Sequence, residues 1–166
     1  ARLQITPPND TLSAIDVPDR TTLERLDATA LLADLPGHIA RRELETFASL
    51  LPVYEFGRHA ETVDSSASPG NVLFVEIESD AGTVLLSEMG RKGLPAERVA
   101  EALADRAEAY LKTCAAVDRH LADQLIVPAA LAGSGSFATT EVTSHSRTQM
   151  ELIPEFLDVE FECEPR

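Results

Sequence analysis

The side chains of this sequence best suited to phosphoryl or covalent chemistry lie in its last third. In the stretch "HLADQLIVPAALAGSGSF", His120–Phe137, the residues His120, Asp123 and Gln124 stand at i, i+3 and i+4. A helix puts all three on one side and lets Leu121, Leu125 and Ile126 turn toward a core. An acid and an amide at the head of an otherwise apolar helix suit a nucleotide base, a ribose or a metal-linked phosphate. They equally suit a first helical turn whose carboxylate complements the macrodipole. Gly133 and Gly135 either let backbone approach a ligand closely or simply end the helix. Further on, His145 lies in "EVTSHSRTQ", a hydroxyl-rich stretch between two strand-like segments. A neutral imidazole can serve as base, metal ligand or nucleophile. Arg147, two residues later, would share its side of an extended strand and could steady an anion. A plain surface histidine is the other reading.

The remaining candidates are blander. His38 with Arg41 and Arg42 opens an amphipathic helix, and His59 follows Arg58 in a strand-like segment, so all read as solvated or structural. Arg91-Lys92 is a local basic spot that suits a phosphate or a loop charge pair. Cys114 and Cys163 have no metal or redox spacing, and only four histidines are present, so a four-ligand zinc site is not expected. With no such spacing, a reducing, cytoplasmic setting is the default expectation.

Composition narrows the class. At 166 residues with 44 % hydrophobic residues, the chain can form one ordinary domain or two small ones. No apolar run reaches the roughly 18 residues of a membrane span, and no signal peptide is visible. The chain starts with Ala and enters directly on "ARLQITPP", which suggests a piece of something longer. The net charge of −14 argues by itself against a nucleic-acid partner, because phosphate binding needs basic patches. Twelve Arg stand against two Lys. An acidic, lysine-poor surface suits a protein working in high salt, or an ordinary acidic protein.

The elements that must position these residues read as α+β. Residues 1–8 look like a strand, and 9–20 are polar and poorly periodic. "TTLERLDATALLADL" is ambiguous between strand and helix. "PGHIARRELETFASLLP" spaces Ile39, Leu44, Phe47, Leu50 and Leu51 as a helix does. "VYEFGRHAETV" reads as a strand, and "VLFVEIES" and "TVLLSEMG" as an antiparallel hairpin around "DAG". "LPAERVAEALADRAEAYLKTCAAV" is the clearest helix, with Pro95 near its first turn and Val99, Leu103, Ala107, Tyr110 and Leu111 on one face. A second helix covers about 118–132. "FATTEVTSH" and "RTQMELIPEFLDVEFECE" then give strand, short helix and strand. There is no regular βαβα alternation, GxGxxG or Walker motif. Two lobes are expected: residues 20–115, and residues 1–19 together with 116–166.

The blocks "HLADQLIVPAALAGSGSF" and "SHSRTQMELIPEFLDVEF", with "SPGNVLFVEIES" and "GRKGLPAERVAEAL", give the chain a resemblance to the RNA 3′-terminal phosphate cyclases. They fall in family order across nearly the whole sequence. The resemblance implies a ligase-class enzyme of RNA processing that turns an RNA 3′-phosphate end into a 2′,3′-cyclic phosphate. It does so with ATP, through a covalent histidine–AMP intermediate, assisted by Mg²⁺ or Mn²⁺. Carried over by position, the adenylylated nucleophile is His145, and the nucleotide-binding segment is His120, Leu121, Ala122, Asp123 and Gln124. The family often has Tyr where His120 stands, so the stacking contact with adenine differs here.

For the architecture, the resemblance implies the carboxy-terminal part of such an enzyme. Residues 20–115 would be a smaller, thioredoxin-like inserted α+β domain. Residues 1–19 and 116–166 would close a large domain built of βαβαββ repeats. The implied partners are RNA with a 3′-phosphate end and the missing amino-terminal half of the same enzyme, with no membrane. The alternative is a non-catalytic relative acting in RNA processing or ribosome assembly, against which the presence of His145 speaks. An isolated interaction domain is the third reading.

Overall fold

A computed structural model describes residues 12–164 of the chain. In chain order the elements are β1 (Ile15–Val17), β2 (Leu23–Ala33), α1 (His38–Leu50), β3 (Gly57–Val63), β4 (Gly70–Ser79), β5 (Gly82–Met89), α2 (Ala96–Leu111), α3 (Arg119–Ala132), β6 (Gly135–Phe137) and α4 (Ser144–Leu152). A short 3₁₀ turn, Ile153–Glu155, follows α4. This is a mixed α and β chain, and it divides into two compact units, Asp19–Ala116 and the segments on either side of it.

In the middle unit, four strands form one sheet in the order β3-β2-β4-β5. β2 pairs in parallel with β3 and antiparallel with β4, and β5 returns antiparallel along β4. The segment holding β2 is ambiguous as sequence because Leu and Ala favour helices. Its place as an inner strand decides the matter: Leu26, Ala28, Ala30 and Leu32 are buried at alternate positions, and Thr29 is buried on the other face. The expected hairpin forms, with Ser79 opposite Gly82. Gly82 takes a φ of 128°, a backbone that side-chain-bearing residues rarely adopt.

Both long helices of this unit cover the same side of the sheet. α1 buries Ala40, Glu43, Leu44 and Phe47, the i, i+3, i+4, i+7 set of an amphipathic helix. α2 buries Val99, Ala100, Leu103, Ala104 and Ala107. The alanines let α2 lie close to α1 and to β4 and β5. The resulting core joins these residues to Leu73, Val75, Ile77, Val84 and Leu86. Arg20, also buried, donates to the carbonyls of Tyr110, Leu111 and Thr113, closing the carboxy-terminal end of α2.

In the other unit, β1 and β6 pair in parallel, Ile15 to Gly135 through Val17 to Phe137. Ser136 Oγ donates to Asp16 Oδ1 at 2.9 Å across this pair. Several expectations need correction here. The strand expected over 1–8 lies outside the described residues, and the polar segment that follows carries β1. The strand expected through "FATTEVTSH" extends only to Phe137, with one further bridge from Val117 to Thr139. From Ser144 the chain is helical, so His145 and Arg147 sit on α4 rather than on a strand. Two residues apart on a helix point to nearly opposite sides, and Arg147 does not share the face of His145. No strand follows the 3₁₀ turn among the described residues.

Candidate active site

The candidate residues all belong to the unit formed around α3 and α4. α3 starts at a well-made cap: the Asp118 carboxylate accepts from the backbone N–H of His120 at 3.2 Å and of Leu121 at 2.9 Å. It ends at Gly133, whose φ of 76° is the left-handed stop glycine provides. Gly135 has a packing reason of its own: a Cβ there would lie 2.6 Å from the carbonyl oxygen of Ile15. Pro128 lies inside α3 and has no N–H, which leaves the carbonyl of Gln124 without its helical donor.

Along the first turns of α3 the five candidates divide by exposure. Ala122 and, further on, Ile126 face inward; Leu121 and Asp123 are half-buried; His120 and Gln124 are exposed. His120 and Gln124 thus lie on an accessible side of α3, while Asp123, expected to share that side, is half-buried. Arg119 Nε lies 3.4 Å from His120 Nε2, and its guanidinium also pairs with Glu141 at 3.3 Å.

Asp123 turns toward α4. That helix begins at Thr143, whose Oγ1 accepts from the Ser146 backbone N–H at 3.0 Å, a normal N-cap. The same hydroxyl donates to Asp123 Oδ1 at 2.7 Å, and Ser146 Oγ donates to that oxygen as well. Gln149, one turn later, donates through Nε2 to the backbone carbonyl of Asp123 at 3.0 Å. Ser146 is 2 % exposed, while Thr143, Asp123 and Gln149 are partly buried. Burial works to raise the Asp123 pKa. The hydroxyls of Ser146 and Thr143, aided by His145 and His120, outweigh it and hold the carboxyl below its ordinary value.

The junction brings His120, Asp123 and His145 into one electrostatic neighbourhood. His145 is the second residue of α4 and is exposed. It therefore sits in the turn where unpaired backbone N–H groups and the positive end of the helix dipole favour an anion. Thr143, Ser146 and Gln149 were not singled out by sequence reasoning. The signal was present as Thr143 three residues before Ser146 ahead of "RTQMEL", an N-cap pattern hidden by hydroxyl-rich composition. No group of three or more His, Cys, Asp or Glu among the described residues is placed to hold a metal ion. No helix among them is long and apolar enough to cross a membrane.

The family model for the insert domain of RNA 3′-terminal phosphate cyclase (RTC) matches residues 18–112. A protein of Ectopseudomonas mendocina (strain ymp) named RNA 3′-terminal phosphate cyclase is 41 % identical over 161 residues, which is 97 % of this chain and 47 % of that protein. One of the same name from Koribacter versatilis (strain Ellin345) is 41 % identical over 155 residues, 93 % of this chain and 44 % of its own length. A third, from Salmonella enteritidis PT4 (strain P125109), is 37 % identical over 164 residues, 99 % and 48 % respectively. The chain spans about half the length of the curated relatives it matches.

Proposed function

The chain belongs to the RNA 3′-terminal phosphate cyclase family, and from that membership we propose that it is the nucleophile-bearing, carboxy-terminal part of an ATP-dependent cyclase acting on RNA 3′-phosphate ends. The observation that carries the reading is the junction between α3 and α4. Through Thr143, Ser146 and Gln149 it ties the segment His120–Gln124 to the helical turn that presents His145. The order β3-β2-β4-β5, with a parallel first pair, supports taking residues 20–115 as a thioredoxin-like inserted domain. Residues 1–19 and 116–166 would belong to the repeat-built large domain.

In the proposed reaction an imidazole nitrogen of His145 forms a bond to the α-phosphorus of ATP. The bond from that phosphorus to the bridging oxygen breaks, pyrophosphate leaves, and the imidazole gives up its proton. An oxygen of the RNA 3′-phosphate then takes the adenylyl group from His145. The neighbouring 2′-hydroxyl attacks the activated phosphorus, AMP leaves, and the 2′,3′-cyclic phosphate is formed. The helix-borne site would serve this chemistry by position and charge: the amino-terminal turn of α4 favours the phosphate oxygens, and His120 and Gln124 are exposed on α3 where a nucleoside could meet them. A divalent cation, Mg²⁺ or Mn²⁺, would supply neutralisation of phosphate charge. The described residues form no cage for it, and such ions are commonly held by the substrate phosphates themselves. The remaining half of the protein would complete the ATP and RNA sites and supply a basic surface for the RNA. A cytoplasmic location goes with such RNA processing.

The test is intact mass spectrometry of the full-length protein after incubation with ATP and Mg²⁺. A gain of one AMP in the wild type and none in His145→Ala is expected. An adduct retained by His145→Ala, or none in either, would overturn the reading.

A further inference from the structure

Nothing in the proposed chemistry requires the Asp123 carboxylate to be spent on protein hydroxyls, yet one of its oxygens receives two. We infer that Thr143, Ser146 and Gln149 are positioning residues that lock the amino-terminal turn of α4 onto Asp123 and so fix His145 relative to the nucleotide-contacting face of α3. The inference rests on the reading of His145 as nucleophile and deepens it.

The geometry is specific to that task. His145 lies between the two hydroxyl residues that reach Asp123, at Thr143 and Ser146, so the turn is held on both sides of the nucleophile. Gln149 adds a third tie one turn along, on the backbone of Asp123 rather than its side chain. Rotation of α4 about its axis would break all three bonds. Thr143 also caps α4 through Ser146 N–H, so the residue that starts the helix is the one that aims it. Charge-assisted bonds to a carboxylate are strong for their kind. Ser146, at 2 % exposure, has little access to water as a replacement partner. The hydroxyls of Ser146 and Thr143 favour the charged carboxylate, so the bonds that anchor α4 also hold the Asp123 pKa below its ordinary value.

An arrangement of this kind acts on the chemical step more than on substrate affinity. A nucleophile misplaced by about 1 Å loses on the order of 100-fold in rate. The experiment uses the full-length protein with Ser146→Ala, Thr143→Val, Thr143→Ser and Gln149→Leu, and it measures single-turnover formation of the AMP adduct against ATP concentration. Ser146→Ala and Thr143→Val are expected to slow the saturating rate by about 10- to 100-fold. The half-saturating ATP concentration should stay within about threefold. Thr143→Ser, which keeps the hydroxyl, is expected to restore the rate. Circular dichroism melting of each variant separates loss of the fold from loss of aim. A folded Ser146→Ala and Thr143→Val pair with wild-type rates, in a protein where His145→Ala abolishes the adduct, would overturn the positioning role and leave the nucleophile standing. A change confined to the half-saturating ATP concentration would also overturn it, by making the junction part of ATP binding. If His145→Ala keeps the adduct, the parent reading falls and this inference falls with it.

Discussion

Glu43 offers a direct check of how the middle unit is built. It sits on α1 among Ala40, Leu44 and Phe47 and is wholly buried. Asn71 Nδ2 donates to its Oε1, while Oε2 has no partner among the described residues. Burial, only partly offset by that hydrogen bond, pushes its pKa up to about 7. In the unfolded chain the same carboxyl ionises near the ordinary Glu value of about 4.3. Between those two pH values the folded state keeps a proton that the unfolded state has lost. The unfolding free energy therefore falls as pH rises. The contribution is fully present below about pH 4, is lost as pH rises through about 7, and is constant above. At about 1.4 kcal/mol for each pH unit separating the two pKa values, the whole effect is on the order of 3 kcal/mol. Glu43→Gln keeps the shape and the acceptor for Asn71 but does not titrate. Urea unfolding of both proteins across about pH 4 to 8.5 gives the difference free of other groups. Asp80, held low by the Thr21 hydroxyl and the backbone of Thr22, then cancels. Glu97, held low by the Arg42 guanidinium, cancels in the same way. Relative to wild type, Glu43→Gln is expected to gain on the order of 3 kcal/mol between the two ends of the range. A difference that does not change with pH would refute the argument that this carboxyl is buried in its protonated form.

Three other outcomes follow from named contacts. Asp118→Ala removes the acceptor for two backbone N–H groups at the head of α3 and should cost about 1 kcal/mol in chemical unfolding. Gly135→Ala drives a Cβ against the Ile15 carbonyl. It should cost roughly 1–3 kcal/mol, and loss of hydrogen-exchange protection should appear first along β1 and β6. Under the proposed function, His120→Tyr enlarges the ring on the exposed side of α3 and should lower the half-saturating ATP concentration about three- to tenfold. The basis is roughly 1 kcal/mol of added stacking, read in the adduct assay.

The middle unit was largely legible because its elements obey one period each. The alternation in "VLFVEIES" and the i, i+3, i+4 spacing in "AERVAEALADRAEAYL" have a single solution. β2 was not legible as a strand, since "LERLDATALLA" is rich in helix formers. Only its pairing on both sides, with β3 and β4, makes a buried extended segment the better state for it. The second unit was misread where it is shortest. β1 and β6 are three residues each and are set by one another's hydrogen bonds rather than by any local pattern.

Asp123 shows why the site was only half legible. Spacing placed it with His120 and Gln124 on one side of a helix, and its type suited a ligand. What spacing cannot carry is the identity of the partner across the gap between α3 and α4. "EVTSHSRTQ" offers serine and threonine, which favour caps and turns as readily as strands, so the segment around His145 read as extended. A cap is resolved only once its acceptor is known. Here Thr143 caps α4 and reaches Asp123 with the same hydroxyl, and Ser146 completes the pair. The helical form of α4 and the orientation of Asp123 are therefore one fact seen from two segments: each lacks a reason without the other. That mutual dependence also ranks the two candidates in chemical terms. Gln124 remains exposed, whereas Asp123 meets α4, and under the proposed function any contact it makes with a nucleotide would share a carboxylate already bonded to Thr143 and Ser146.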